Sequence, residues 1–243
     1  MALRGALVTP TVTNRAAITN VGRIRTLMKR VTEYGGQPTV RTALLLMAYL
    51  YPRPGELRAA SWSEFDLEQG IWTIPAGRTK MRREHRKPPD DEPLALLSDL
   101  RTLTGHGDLV FPSLTSSFRP ISENTMTGAL RRMGYTSNDM TAHGFRATAS
   151  TLLNESGLWS PDAIERELGH VEINAVRRAY NRADDWDKRR EMAKWFSALH
   201  TGLVDCSQRK IPVLGFHCAG IGASLWGAHL HLVRGFRSRR QVT

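Results

Sequence analysis

The chain has 243 residues, and its 34 Lys and Arg against 23 Asp and Glu give a formal net charge of +11. A hydrophobic fraction of 41% excludes a chain that is disordered throughout, and a content of only two cysteines excludes a disulfide-stabilised scaffold. The positive charge favours an anionic partner, with nucleic acid as the first candidate. Residues 1–20 contain no apolar run typical of a secretory signal.

The first ninety residues predict helices followed by a small sheet. Asn20 is placed to cap a helix whose apolar residues recur at helical spacing up to Val31, and a second apolar helix spans 39–50. Prolines end that helix, and a short helix follows at 56–60. The apolar run 70–75 predicts a strand that leads into a very basic segment, which indicates a β-hairpin or small sheet.

The rest of the chain up to position 199 is predicted to be helical. The helices expected here are one with a leucine stripe at 94–103, one capped by Ser122 that carries Met126, Leu130 and Met133, one that begins at His143, one from Ser160 to a stop at Gly169, and two at 176–181 and 187–199. The predicted fold class is therefore mainly α with one small antiparallel β-sheet (α+β).

The last part of the chain, 201–243, shows no persistent helical or strand period. It is expected to be poorly ordered or outside the fold, although nearly half of the positive excess lies in it. The uncharged run 211–233 contains Pro212 and four glycines, so it makes a poor membrane-spanning helix, and no membrane partner is expected. Cys206 and Cys218 lack the short paired spacing of a zinc site, so no metal is expected.

Two polar side chains at the start of one predicted helix form a candidate anion site. His143 and Arg146 lie three residues apart, so a helix brings both onto one face. A guanidinium offers a forked, permanently charged donor, and an imidazole can transfer a proton near neutral pH. Taken alone, the pair favours a plainer interpretation, a surface arginine beside a capping histidine.

Three further residues are candidates on weaker local grounds. Arg53 stands between two prolines, which restrict the backbone and suit an anion clamp, although a helix–helix turn with a solvated arginine has the same pattern. His170 follows a helix-stopping glycine, and Tyr180 lies ten residues later among arginines that favour a phenolate. Amphipathic surface residues would give the same pattern.

The order of these residues carries more information than any one of them. Arg53, Lys80 on the hairpin, His143, Arg146, His170 and Tyr180 follow one another as in the active site of the tyrosine recombinases. The stretches 53–67, 72–86, 118–135, 141–155 and 164–196 resemble phage-type integrases of that family, and the resemblance extends roughly from Ala2 to Leu199. It implies the fold of a tyrosine recombinase catalytic domain.

The resemblance assigns a role to each matching residue. Tyr180 matches the nucleophile that forms a 3′-phosphotyrosine bond, while Arg53 and Arg146 match the arginines that hold the non-bridging phosphate oxygens. Lys80 matches the hairpin lysine that protonates the leaving 5′-oxygen. His143 resembles the acid–base residue of the family, and His170 resembles its second histidine, which contacts the phosphate. Glu56 resembles an acidic residue near the first arginine and is assigned a supporting role.

The basic hairpin allows two interpretations. Arg82, Arg83, Arg86 and Lys87 form either a solvated face or an edge that follows the DNA backbone, and their closeness to Lys80 favours DNA binding, with Arg82 and Arg83 as the first candidates. Pro88 and Pro89 lack backbone donors, so the second hairpin strand is expected to end early and to hold Lys80 loosely.

The predicted organisation is a linker and first helix at 1–34, the catalytic domain at 35–200 and the tail at 201–243, with the upstream core-binding domain of the family absent. The resemblance implies site-specific recombination of a mobile element by cleavage and religation of double-stranded attachment-site DNA in a tetrameric synapse, without a cofactor. It also implies a cytoplasmic, nucleoid-associated bacterial protein. The alternative is a truncated, non-catalytic DNA-binding remnant or regulator of such an element.

Overall fold

The computed structural model describes residues 16–170 and 185–202. No helix in these ranges combines the length and the apolarity needed to cross a bilayer. The helices of the described part are α1 (Val21–Thr32), α2 (Pro38–Leu50), α3 (Pro54–Arg58), α4 (Asp91–Thr104), α5 (Thr125–Arg132), α6 (Gly144–Ser156), α7 (Pro161–Glu167) and α8 (Trp186–Thr201).

Two small antiparallel sheets accompany the helices. The first contains β1 (Phe65–Asp66), β2 (Ile71–Ile74) and β3 (His85–Lys87) in that order, and the second pairs β4 (Pro112–Ser113) with β5 (Ser116–Pro120). The predicted strand and hairpin at 70–87 are thus confirmed, and β3 ends before the two prolines as expected. The hairpin at 112–120 was not predicted.

The core is built around α2. Residues 42–50 of this helix are all buried, because it is apolar on every side and packs against α1, α4, α5, α6 and α8. The same central helix ends at Leu50, three residues before Arg53. The first candidate arginine therefore lies in the short connection between this buried helix and α3, of which it is the N-cap residue.

Most predicted helix boundaries are confirmed. The side chains of Asn20 and Ser160 accept backbone N–H groups at the starts of α1 and α7. Two details of the prediction are wrong: α5 is capped at Asn124, since the Ser122 hydroxyl bonds the Thr125 hydroxyl instead, and Leu103 is 53% exposed rather than part of the buried stripe of α4.

Three predictions fall on residues outside the described ranges. They are the helix at 176–181, the nucleophile Tyr180 that it carries, and the tail beyond position 202. The proposed boundaries at 34 and 200 also stay predictions.

Candidate active site

Arg53 is held at the start of α3 by a nearby carboxylate. Glu56, which is 3% exposed, accepts from the backbone N–H of Arg53 and from its Nη1, each at 2.9 Å. The Arg53 Nη2 donates to the carbonyl oxygen of Gly169 at 3.2 Å. The supporting role that the resemblance implied for Glu56 agrees with this geometry, because one carboxylate fixes both ends of the arginine.

Arg146 lies in the first turn of α6 and is half-buried. Its Nη1 donates to the carbonyl oxygen of Tyr51 at 3.3 Å, and its Nη2 donates to the carbonyl oxygen of Leu168. Burial and the neighbouring positive charge of Arg53 lower the pKa of Arg146 to about 10. The side chain therefore stays charged at neutral pH and is oriented from two sides.

The turn after α7 brings the two arginines together. Leu168 and Gly169 are adjacent, and their carbonyl oxygens accept from Arg146 and Arg53 respectively. Gly169 has a φ of +63°, which side chains other than glycine rarely adopt, so the predicted helix stop is confirmed. Because consecutive carbonyls hold both guanidiniums, two positive charges converge on one site.

The two histidines of the predicted site are both exposed. His170 directly follows Gly169, and its Nδ1 lies 2.6 Å from a carboxylate oxygen of Glu165. His143 immediately precedes α6, and its carbonyl oxygen accepts the backbone N–H of Arg146 at 3.2 Å. Both imidazoles are thus open to solvent.

The hairpin between β2 and β3 exposes its cations. Lys80, Arg82 and Arg83 are all exposed in this connection, and the Thr79 hydroxyl donates to the carbonyl oxygen of Arg83 at 2.7 Å. The neighbouring Arg78 donates to Glu64 and to backbone carbonyl oxygens of Glu56 and Ala59. Arg78 therefore ties the base of the hairpin to α3, the helix that Arg53 precedes. The whole hairpin is thus not held as loosely as expected.

The DNA-binding interpretation is wrong for the last hairpin cation. Lys87 is 1% exposed, because it pairs with Trp72 across the sheet and so faces the core. Its Nζ donates to the carbonyl oxygen of Glu167 at 2.9 Å and to the Glu167 carboxylate at 2.5 Å. Arg86 is half-buried, with its guanidinium 4.8 Å from the ring centroid of Trp186.

A second cation completes the buried charge cluster. The Arg189 Nε donates to the Glu167 carboxylate at 2.7 Å, and all three side chains are 1–2% exposed. Burial lowers the pKa of Lys87 to about 8, against the opposing attraction of Glu167. Burial alone would raise the pKa of Glu167, but the two cations outweigh it and lower that pKa. We call Lys87, Glu167 and Arg189 the buried triad.

His85 is a neighbour of the site that sequence reasoning missed. Its imidazole packs against Gly169 so closely that a Cβ there would lie 3.3 Å from the ring. Burial and the nearby charge of Lys87 lower the pKa of His85 to about 3, so the ring is neutral at working pH. His85 pairs with Ile74 across the sheet and so faces the core, and this strand pattern could have indicated that the imidazole lies near the site.

The structure thus brings together Arg53, Arg146 and His170 and places His143 next to Arg146. Lys80 lies on the connected hairpin, and Tyr180 lies outside the described residues. The described ranges contain no group of three His, Cys, Asp or Glu side chains that could hold a metal ion.

Two curated relatives resemble the chain over most of its length. The putative protein IntB of Escherichia coli (strain K12) is 41% identical over 189 residues, which are 72% of this chain and 48% of the relative. The integrase of Enterobacteria phage P4 is 38% identical over 209 residues, which are 80% of this chain and 47% of the relative. The chain spans about half the length of the curated relatives it matches.

Solved integrase and recombinase structures have the same fold. The integrase from mycobacterium phage Brujita matches with a TM-score of 0.55 at 14% identity, over 85% of this chain and 63% of the other. XerA recombinase matches with a TM-score of 0.53 at 18% identity, over 78% and 68%. A lambda integrase tetramer bound to a Holliday junction matches with a TM-score of 0.52 at 17% identity, over 70% and 51%. The predicted fold is confirmed.

The sequence pattern of a known protein family also matches the chain. The model of the phage integrase family covers residues 21–186, which include every residue of the predicted site. With its motifs, its fold and this match in agreement, the chain belongs to the phage integrase family.

Proposed function

We propose that the chain catalyses site-specific recombination by cutting and rejoining DNA through a 3′-phosphotyrosine at Tyr180. The observation that carries this proposal is the convergence of Arg53 and Arg146 on the adjacent carbonyls of Leu168 and Gly169. Two fixed guanidiniums suit the non-bridging oxygens of a phosphodiester, since charge accumulates on them in the pentacoordinate transition state. Gly169, in the turn that holds the arginines, precedes Tyr180 by eleven residues in the sequence.

The cleavage step needs a nucleophile, an acid and charge stabilisation. The Tyr180 phenolic oxygen attacks phosphorus as its proton passes to His143, the bond from phosphorus to the 5′-oxygen breaks, and Lys80 protonates the leaving oxygen. His170 contacts the phosphate. No external energy source is required, because the phosphotyrosine keeps the energy of the broken bond for religation.

The proposed substrate is the double-stranded attachment-site DNA of a mobile element in the bacterial cytoplasm, on the nucleoid. Exposed Arg82 and Arg83 would contact phosphates, which accounts for affinity but not for sequence choice. The lambda integrase neighbour is a tetramer on a Holliday junction, and we propose a tetrameric synapse for this chain as well.

A covalent-adduct assay tests this function. We expect the full chain to form a protein–DNA adduct with duplexes from a randomised pool that carry a nick beside the cleavage point, because loss of the short 5′-hydroxyl fragment prevents religation. Tyr180→Phe should abolish the adduct, and Tyr135→Phe, a matched tyrosine outside the site, should not. The measurement is the denaturant-resistant mobility shift of labelled DNA.

The same assay separates the alternative. Salt-dependent DNA binding without an adduct, unchanged in Tyr180→Phe, would contradict the proposed chemistry and favour a DNA-binding remnant or regulator.

Gly169→Ala tests whether the turn positions the arginines. The backbone strain at φ +63° should cost about 1–2 kcal/mol of unfolding free energy, and the added Cβ would press on His85 and shift the carbonyl that holds Arg53. We expect a slower adduct-forming step, measured in single turnover. Gly157→Ala is the matched control, since its φ is +65° but its Cβ would meet nothing within 4 Å. Equal adduct rates in the two variants would contradict this role of the turn.

A further inference from the structure

The buried triad adjoins the turn that holds the arginine pair and has no part in the proposed chemistry. Lys87 comes from β3, Glu167 is the last residue of α7, and Arg189 lies in the first turn of α8. At 1–2% exposure, none of the three can reach a substrate phosphate. Their position at the meeting point of three elements requires another explanation.

Stability alone does not explain the triad. Bringing charges out of water is costly, and well-packed apolar residues of similar volume usually stabilise a core as well as a buried ion pair does, or better. A gain in stability is therefore not a sufficient reason for three charged groups at this position. The contacts of Lys87 identify which geometry is held.

On one side, Lys87 fixes the turn that follows α7. Its Nζ donates to both the carbonyl oxygen and the carboxylate of Glu167. The next residue, Leu168, supplies the carbonyl oxygen that accepts Arg146 Nη2. Two bonds from one ammonium thus set the orientation of the peptide that precedes this acceptor.

On the other side, Lys87 packs on the residue that supplies the second acceptor. Its Nζ lies 4.6 Å from the ring centroid of Tyr51, a cation–π contact in a fully buried setting. The Tyr51 carbonyl oxygen accepts Arg146 Nη1. Tyr51 has a φ of +38°, a left-handed conformation that a bulky residue adopts only where surrounding contacts impose it.

We propose that Lys87 is a positioning residue for Arg146. Its ammonium fixes Tyr51, whose carbonyl oxygen accepts Arg146 Nη1. It also fixes Glu167, which directly precedes the Leu168 carbonyl that accepts Nη2. The inference rests on the proposed function, in which Arg146 binds the scissile phosphate. Lys87 does not touch the substrate, so it acts only through the direction in which Arg146 points.

Two variants test this role. Lys87→Met removes the ammonium but leaves Glu167 paired with Arg189, so no buried charge is left without a partner. Lys87→Met/Glu167→Leu/Arg189→Met replaces the whole buried triad with apolar residues and covers the case in which the single variant does not fold. Lys194→Met, at an exposed position on α8, is the matched control.

The first readout is the single-turnover rate of adduct formation by the full chain. We expect it to fall about 10- to 100-fold in both variants, because a small displacement of a group that orients the reacting phosphate has effects of this size. The DNA affinity and the thermal unfolding midpoint of the apolar triple variant should stay close to those of the unmodified chain. The control, Lys194→Met, should match the unmodified chain in adduct rate, DNA affinity and unfolding midpoint. A folded triple variant that forms the adduct at the unmodified rate would overturn the proposal.

The second readout does not depend on cleavage. In isotope-labelled arginine NMR, a guanidinium bonded through both Nη atoms gives two separate Nη signals, since rotation about Nε–Cζ is slow. The Arg146 signals, assigned by their loss in Arg146→Lys, should merge in Lys87→Met and stay separate in Lys194→Met. Separate signals in Lys87→Met would refute the role of Lys87, whereas an adduct missing from the unmodified chain would refute only the proposed function.

Discussion

Arg146→Lys is expected to slow adduct formation by about 10²- to 10³-fold, the loss typical of removing one preorganised donor to a developing anion. Lysine keeps the positive charge, but its compact ammonium has no planar fork and cannot span the Tyr51 and Leu168 carbonyls while it faces the phosphate as the Arg146 guanidinium does. The loss should therefore appear in the single-turnover rate and not in DNA affinity, which sums many phosphate contacts. Rate and affinity are measured on the same nicked duplex.

Arg58→Lys is the matched control for this substitution. Arg58 also bonds two acceptors, the carbonyl oxygen of Ile121 and the carboxylate of Glu123, but both lie outside the site. It should change the adduct rate by less than about threefold. An equal loss in Arg58→Lys and Arg146→Lys would mean that the rate reports general damage to the fold rather than phosphate binding.

Local patterns sufficed where one element decides its own structure. The start of α1 follows from the Asn20 side chain and the apolar spacing behind it, and α6 follows from the shared face of Phe145, Ala149 and Leu152. The strand predicted at 70–75 was recognisable because residues that favour β-strands lie there between turn-forming residues. Each signal is complete within a dozen residues, so no tertiary contact is needed to interpret it.

The errors occur where a distant residue decides. Lys87 belongs to a basic run and therefore indicated a solvated or DNA-facing side chain, yet its partner Glu167 is 80 residues away in sequence. Leu103 continues a strict three-residue spacing, but the buried face of α4 passes through Leu97, Leu100 and Thr104, so Leu103 lies off that face and is exposed. The distant partner of Lys87 cannot be read from a local window, and which residues of α4 face the core is set by the elements that pack on it.

The order of the site residues was predictable, and their mutual support was not. The resemblance supplied Arg53, Arg146 and His170, and the structure places all three at one turn. Nothing in the motifs indicated that backbone carbonyls of Leu168 and Gly169 hold the guanidiniums, because a carbonyl has no residue signature. The assigned catalytic roles remain predictions, and those of Tyr180 and Lys80 depend most directly on the adduct assay.

Glu167→Leu is expected to cause the largest loss of stability among the substitutions considered. It leaves Lys87 and Arg189 buried at 1–2% exposure without their shared carboxylate. Removing one partner of a buried ion pair costs about 3–5 kcal/mol, because the remaining charge is not compensated. In a domain of this size the unfolding midpoint should fall by about 6–20 °C, measured by circular dichroism at pH 7.

Glu123→Leu separates this effect from the loss of any ion pair. Glu123 pairs with Arg58 at 3.1 Å but is 82% exposed, and exposed pairs contribute at most about 1 kcal/mol. Its unfolding midpoint should therefore change by only a few degrees. In Lys87→Met/Glu167→Leu/Arg189→Met the loss caused by Glu167→Leu should be largely recovered, since no buried charge is left. A triple variant as unstable as Glu167→Leu would show that the cost lies in lost packing and not in uncompensated charge.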